Sequence, residues 1–219
     1  LSKMHHVGTQ LHGYTAESDF LANLRGLLNA RPNNRKFIYA YWSHVDSLMH
    51  RYGTYNERVT EQFISFSDAF ERILFNKLEP WAREDTLFLL TADHGSVETP
   101  YYSSYELTSH TDLSNMLAIQ PTCEGRLPYL YIKPGQEQAI RQYFEHSWPG
   151  QFSLLTRQQV LDSGLLGRGI PNSDLANRVG DLVVIPHGNA YLWWVNKANV
   201  MLGRHGGLHP DEMLVPLYA

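Results

Sequence analysis

The chain predicts an α/β domain: a mostly parallel sheet with helices on both faces, carrying a small inserted lobe. Three observations lead there. Short apolar runs of the buried-strand kind alternate with amphipathic helical stripes. Pairs of Asp and His follow two of those runs, at the strand ends where open parallel sheets place their sites. A length of 219 residues, 43% of them hydrophobic, suffices for one core or for one core with a lobe.

The elements follow in order. Glu17 to Asn29 spaces Phe20, Leu21, Leu24, Leu27 and Leu28 as a helical stripe that stops before Arg31-Pro32. Phe37 to Trp42 is a short apolar and aromatic run, a buried strand by composition. The polar stretch from Ser43 to Gly53 comes next. From Asn56 to Leu78, Val59, Phe63, Phe66, Phe70, Ile73, Leu74 and Leu78 step by three and four residues, the clearest amphipathic helix here, with Pro80 just beyond. Thr86 to Ala92 is a second buried strand. These apolar stripes are core positions rather than cofactor contacts.

Beyond Arg126 the pattern continues. Leu127–Ile132 and Phe152–Leu155 read as strands, Gln136–His146 and Arg157–Leu161 as helices. Gly164, Gly167, Gly169 and Pro171 mark a loop. Asp181–Pro186 and Tyr191–Val195 read as a strand pair around His187-Gly-Asn189. Gly203 to Pro210 is a Gly-rich loop, and Pro210 suits the first position of a short helical turn. The expected organisation is a core segment over residues 1–125, an inserted lobe over 126–180, and a return to the core over 181–219.

Composition removes several function classes. No run approaches the roughly 18 apolar residues of a membrane span. Lys+Arg 18 against Asp+Glu 22 leaves a net charge of −4, without the basic surplus that a nucleic-acid polymer or an anionic membrane surface asks for. The lone Cys123 forbids an intrachain disulfide framework and any Cys-rich zinc finger, and is compatible with a reducing cytoplasm. Eleven His among few charged residues permit a His-rich metal site. Leu1 is not an initiator, and the residues after it have no signal-peptide pattern, so the chain is expected to begin within a longer gene product.

Position, rather than spacing, marks the candidate site. With 10 Asp and 11 His in the chain, chance alone supplies about half an Asp-x-x-x-His pair and about half an Asp-His pair, so a bare motif is only a hypothesis. Asp46 and His50, however, follow the first strand, and a four-residue step puts both on one face of a helical turn. Asp93 and His94 follow the second strand, and Gly95 lets the backbone turn there. His205 stands among Gly203, Gly206 and Gly207, where a ligand can approach closely. Carboxylate with neutral imidazole suits zinc, manganese or iron; helix-capping Asp residues and ordinary His residues are the plainer reading of the same five positions.

Asp46-Ser-Leu-Met-His50, Thr91-Ala-Asp-His-Gly95 and the segment from Gly203 to Pro216 resemble, in order and context, the alkaline phosphatase superfamily. They are most similar to its nucleotide pyrophosphatase and type I phosphodiesterase-like branch. Tyr41 to Asp46, Arg126 to Tyr131 and Gly180 to Val184 look similar to that branch too. The resemblance implies a site for two divalent ions, with zinc the usual metal and manganese or iron also compatible. Asp46, His50 and His205 match one three-ligand set; Asp93 and His94 match two ligands of the other. The third ligand of that set, and the Ser or Thr nucleophile, belong in the family to an amino-terminal stretch that no segment here matches. The resemblance therefore implies a hydrolase of phosphodiester or pyrophosphate bonds acting on a small-molecule diester or nucleotide. This chain would need that missing segment of the same protein as its partner and would be inactive alone. A non-catalytic metal-binding module of the same fold, and a sulfatase or phosphomutase-like relative, are the alternatives.

Ser103, Ser104, Thr108 and Ser109 read as a solvated loop rather than a nucleophile's setting. His44 is a possible outer contact of the site, His209 a replacement helix cap, His110 a loop residue, and His5, His6, His12, His146 and His187 surface residues. Arg126 and Arg204 read as an ordinary surface or structural pair before they read as phosphate contacts. Tyr101 and Tyr102 read as loop aromatics rather than a base-stacking pair.

Overall fold

The computed structural model describes residues 7–30, 35–167, 169–170 and 172–219. Expectations placed on His5, His6, Arg31, Pro32 and Pro171 lie outside these. In chain order the elements are α1 Glu17–Asn29, α2 His44–Tyr52, α3 Glu57–Ala69, α4 Pro80–Glu84, β1 Leu90–Thr91, β2 Val97–Glu98, α5 Thr111–Met116, β3 Thr122–Glu124, β4 Leu127–Leu130, α6 Glu137–Ser147, β5 Phe152–Thr156, α7 Arg157–Ser163, α8 Leu175–Arg178, β6 Leu182–Pro186, β7 Gly203–Arg204, α9 Pro210–Met213 and β8 Leu217–Tyr218. The α/β class expected from the sequence is the one observed. The chain forms two compact units, Leu1–Val45 with Glu57–Leu90 and Tyr218–Ala219, and Asp46–Asn56 with Thr91–Leu217.

In the first unit, α1 and α3 join their apolar stripes. Leu21, Ala69 and Leu74 are buried, with Phe20, Leu24, Leu28, Phe66, Phe70, Ile73 and Phe88 packed around them. The helix expected over Asn56 to Leu78 is helical to Lys77, but it widens to a π turn over Phe70–Leu74 and tightens to a 3-10 turn over Phe75–Lys77. Phe63, one of the stripe residues, is exposed. The two apolar runs of this region depart from expectation: Phe37–Trp42 forms no strand, and of Thr86–Ala92 only Leu90–Thr91 does. Both alternate over part of their length. Phe37, Tyr39 and Tyr41 are exposed while Ile38 and Trp42 are less so, and Leu87 and Leu89 are exposed while Phe88 joins the core. A period of two sorts the side chains to opposite faces whether or not a ladder forms.

In the second unit a four-stranded sheet runs in the order β3-β4-β6-β5. Its ladders are antiparallel, as is that of β2 with β7; a parallel register occurs at the isolated bridge of Glu106 with Trp193. The mostly parallel sheet expected is thus not what the described ladders of this unit form. Central β6 is buried at all five positions, and alternation divides them. Leu182 and Val184 face a core with Leu130, Ile140, Phe144, Trp148 and Tyr191, whereas Val183 and Ile185 face one with Val160 and Val179. Helix α6 therefore covers one face and α7 the other, α7 being started by a capping box between Thr156 and Gln159. Tyr191–Val195 does not return as the second strand of a hairpin. Instead the Leu192 amide donates to the Gly125 carbonyl and the Trp193 amide to that of Tyr105, which buries Tyr191 and Leu192 completely.

Candidate metal centre

All five residues singled out from the sequence lie in the second unit. Helix α2 carries Asp46 and His50 one turn apart, so their side chains share a face. Strand β7 then brings His205 to that face. It pairs with β2, Val97 opposite Arg204, and the Leu202 amide donates to the carbonyl of His50 at 2.8 Å. The approach needs glycine: a Cβ on Gly203 would sit 2.5 Å from the Met49 carbonyl oxygen. Ser96 ties the segments together, its hydroxyl donating to the Arg204 carbonyl and accepting from Thr54.

The result is a cluster of acceptors. His50 Nε2 lies 3.2 Å from Asp46 Oδ1, and His205 Nε2 lies 3.8 Å from the same oxygen. The three side chains offer ligand atoms all within 4.8 Å of one another. His50 Nδ1 faces the Gly203 carbonyl at 2.9 Å. A carbonyl only accepts, so that nitrogen carries a proton, and in the neutral ring it is Nε2 that presents the lone pair. Two acceptors thus oppose each other at 3.2 Å, and Asp46 Oδ1 is buried without a hydrogen-bond partner. Such an oxygen is expensive to leave alone.

A divalent cation fits this set. Ligand atoms about 2.0–2.1 Å from a tetrahedral zinc stand roughly 3.3 Å from one another, close to the separations found here. The Nδ1–H bond from His50 to a backbone carbonyl is the outer contact that fixes ring and tautomer in metal-ligating His residues. Burial, and then neighbouring His94, hold the His205 imidazole below its ordinary value despite the carboxylate of Asp46, which favours the neutral ligand form.

Asp93 and His94 stand differently. His94 is stacked on His205, ring centroids 3.5 Å apart at 16°, and its Nδ1 faces the Gly95 carbonyl, leaving Nε2 with the lone pair. Asp93 lies beside it, Oδ1 3.7 Å from His94 Nε2, and is exposed. The three-residue group contains neither of them, so the second pair joins the first through the imidazole stack.

The remaining residues sort clearly. Arg126 and Arg204 are buried and structural. Arg204 donates to Thr99, Met201 and Asn199, and lies 3.8 Å over the Tyr191 ring. His209 accepts from the Asp211 amide as a cap, with Glu212 completing a capping box. His110 is no simple loop residue: it contacts the Tyr143 hydroxyl and the Ser104 carbonyl and packs on Trp148. His44, His12, His146 and His187 are exposed, as are Ser103, Ser104, Thr108, Ser109, Tyr101 and Tyr102. Glu212 was not legible as part of the site's frame. Its only sequence signal is its place three residues after His209, a capping-box spacing.

The sequence profile of the type I phosphodiesterase / nucleotide pyrophosphatase family matches residues 6–208. No curated protein sequence matches significantly. Among solved structures, murine ectonucleotide pyrophosphatase/phosphodiesterase 5 is similar with a TM-score of 0.67 at 13% identity, over 95% of this chain and 54% of that one. An inactive variant of the murine protein, in complex with AMP, is similar with a TM-score of 0.68 at 12% identity. Phosphonoacetate hydrolase from Sinorhizobium meliloti 1021, in complex with phosphonoformate, gives 0.51 at 20% identity, over 78% of this chain and 43% of that one. The likeness is one of fold, and the chain spans about half the length of these structures.

Proposed function

This chain belongs to the type I phosphodiesterase / nucleotide pyrophosphatase family, and from that premise we propose that it carries the metal cradle of a hydrolase of phosphodiester or pyrophosphate bonds. Asp46, His50 and His205 hold one divalent ion, with zinc, manganese and iron all suited to the ligand chemistry. Asp93 and His94 contribute to a second. The observation that supports this reading most is the buried, unpartnered Asp46 Oδ1 faced by the lone pair of His50 Nε2. A cation between them gives the buried oxygen the partner it lacks and makes the three side chains a ligand set.

When bound, such ions supply Lewis acidity toward a phosphoryl oxygen. The protein's part is to present neutral imidazoles and an ionised carboxylate in fixed positions, which the backbone carbonyls of Gly203 and Gly95 accomplish for His50 and His94. The substrate is a small diester or nucleotide, a reading supported by the AMP bound in the similar murine structure. The nucleophile comes from outside the motifs of this chain: Ser96 and Thr99, just after the second motif, are buried and donate to the Arg204 and Leu202 carbonyls, and Ser103, Ser104, Thr108 and Ser109 are exposed in short turns.

The test is bound zinc after incubation and desalting, with hydrolysis of bis(p-nitrophenyl) phosphate measured on the same samples. About one tightly held ion per chain, absent in His205→Ala, with no turnover, is the expected result. A folded chain that retains no metal overturns the reading.

A further inference from the structure

Glu212 is bonded to two of the ligand-bearing segments at once. The residue is 2% exposed. Oε1 accepts from Arg126 Nε at 2.9 Å and from the Gly207 amide at 2.9 Å. Oε2 accepts from Arg126 Nη2 at 2.6 Å and from the His209 amide at 3.3 Å. Its backbone carbonyl accepts from the Gly95 amide at 2.8 Å. The side chain thus grips the loop two residues after His205, and the main chain grips the residue after His94.

Both contacts are close enough to require glycine. A Cβ on Gly207 would lie 2.8 Å from Glu212 Oε2, and one on Gly95 would lie 1.9 Å from the Asp211 carbonyl oxygen. Arg126 cannot drift, because its Nη1 also donates to the Gly188 and Ala190 carbonyls. We infer that Glu212, held by Arg126, is a positioning residue that fixes His94 and His205 in their stacked arrangement before any metal arrives. Its role rests on the ligand assignment made above, yet the imidazole geometry it sets exists without metal. A buried bidentate pair suits this task, being a weak source of stability but a strict one of register.

The experiment records imidazole 1H–15N correlations of the metal-free chain, and then zinc affinity, for the parent, Glu212→Gln, the doubly apolar Arg126→Met/Glu212→Met, and Arg157→Met. The double variant keeps the buried volume filled and guards against loss of the fold. Arg157, paired with Asp181 away from the cluster, reports what destabilisation alone does. The expected result is displaced His94 and His205 signals in both Glu212 variants, unmoved His12 and His146 signals, and zinc affinity lowered roughly 10- to 100-fold, the range for lost outer contacts of a metal site. Unmoved His94 and His205 signals, or the same displacement in Arg157→Met, overturn the inference. A parent that binds no zinc while these signals still move overturns the proposed function and leaves the positioning role standing.

Discussion

The imidazole of His94 lies flat on that of His205, 3.5 Å between ring centroids and 16° from parallel. Each ring belongs to a different motif, 111 residues apart in sequence (205 − 94). The stack joins the Asp93–His94 pair to the three-residue cluster, and it explains why His205 resists protonation. Burial is the larger cause, and a second imidazole in contact is the next.

That resistance gives a pH dependence with a definite sign. The His205 pKa is lower in the folded chain than in the unfolded one, where it is about 6.5. Above that value neither state is protonated, and the contribution to stability is whole. As pH falls below it, the unfolded chain takes up a proton that the folded chain refuses, and stability declines. Urea midpoints of metal-free protein at pH 7.5 and 5.5 will therefore differ less in His205→Asn than in the parent. An equal difference in the two proteins counts against the buried, neutral imidazole.

Asp46→Asn separates folding from metal binding. The amide can donate to His50 Nε2, which faces it at 3.2 Å, where the carboxylate oxygen has no partner. The metal-free variant should be as stable as the parent or more stable by about 1 kcal/mol, and its melting temperature should no longer rise with zinc. A parent that gains nothing from zinc, or a variant that still does, contradicts the ligand assignment.

Two glycine substitutions should have opposite signs. Gly203→Ala places a Cβ 2.5 Å from the Met49 carbonyl and 3.2 Å from Ser96 Oγ, forcing β7 away from α2; a loss of about 2–4 kcal/mol follows, with weakened zinc binding. Gly26→Ala, inside α1 with nothing within 4 Å of the new Cβ, should stabilise by about 0.5–1 kcal/mol. Thermal denaturation reads both.

Arg204→Lys tests how much one buried cation contributes through geometry. Burial draws the guanidinium down to about 10, leaving it charged at neutral pH. It serves Thr99 Oγ1 at 2.7 Å, the Met201 carbonyl at 2.9 Å and the Asn199 side chain, and lies over Tyr191. An ammonium group cannot reproduce that planar fork, so the variant should lose about 2–3 kcal/mol in denaturant titration. A change below about 0.5 kcal/mol would argue against the network.

The second unit was the more legible from sequence. β4, α6, β5, α7 and β6 fall within a few residues of where periodicity and turn residues put them, because each is a local apolar run or stripe with its own stop signal. Asp46, His50 and His205, which the fold brings together, were marked by the order and context of their motifs and by the glycines around His205; the strand expected before Asp46 does not form. Tyr191–Val195 misled because a fully buried segment looks alike whether it pairs as a strand or threads a core. Phe37–Trp42 misled for the converse reason: apolar content announced a buried strand, and ladder pairing is a long-range property that composition does not encode. Glu212 escaped notice since an acidic residue in a first helical turn is ordinary; only its distance to Gly207 and Arg126 reveals its work.

The alternating segments of the first unit have a practical corollary for handling the protein. Phe37, Tyr39, Leu87 and Leu89 are 93%, 70%, 74% and 62% exposed, so folding places little demand on what occupies those four positions. Serine or lysine there should leave the melting temperature within a degree or two while raising the concentration at which the sample stays monodisperse. Their inward neighbours Ile38 and Phe88 allow no such liberty. Solubility can therefore be engineered on alternate residues of the same two segments, leaving every residue of the metal cradle untouched.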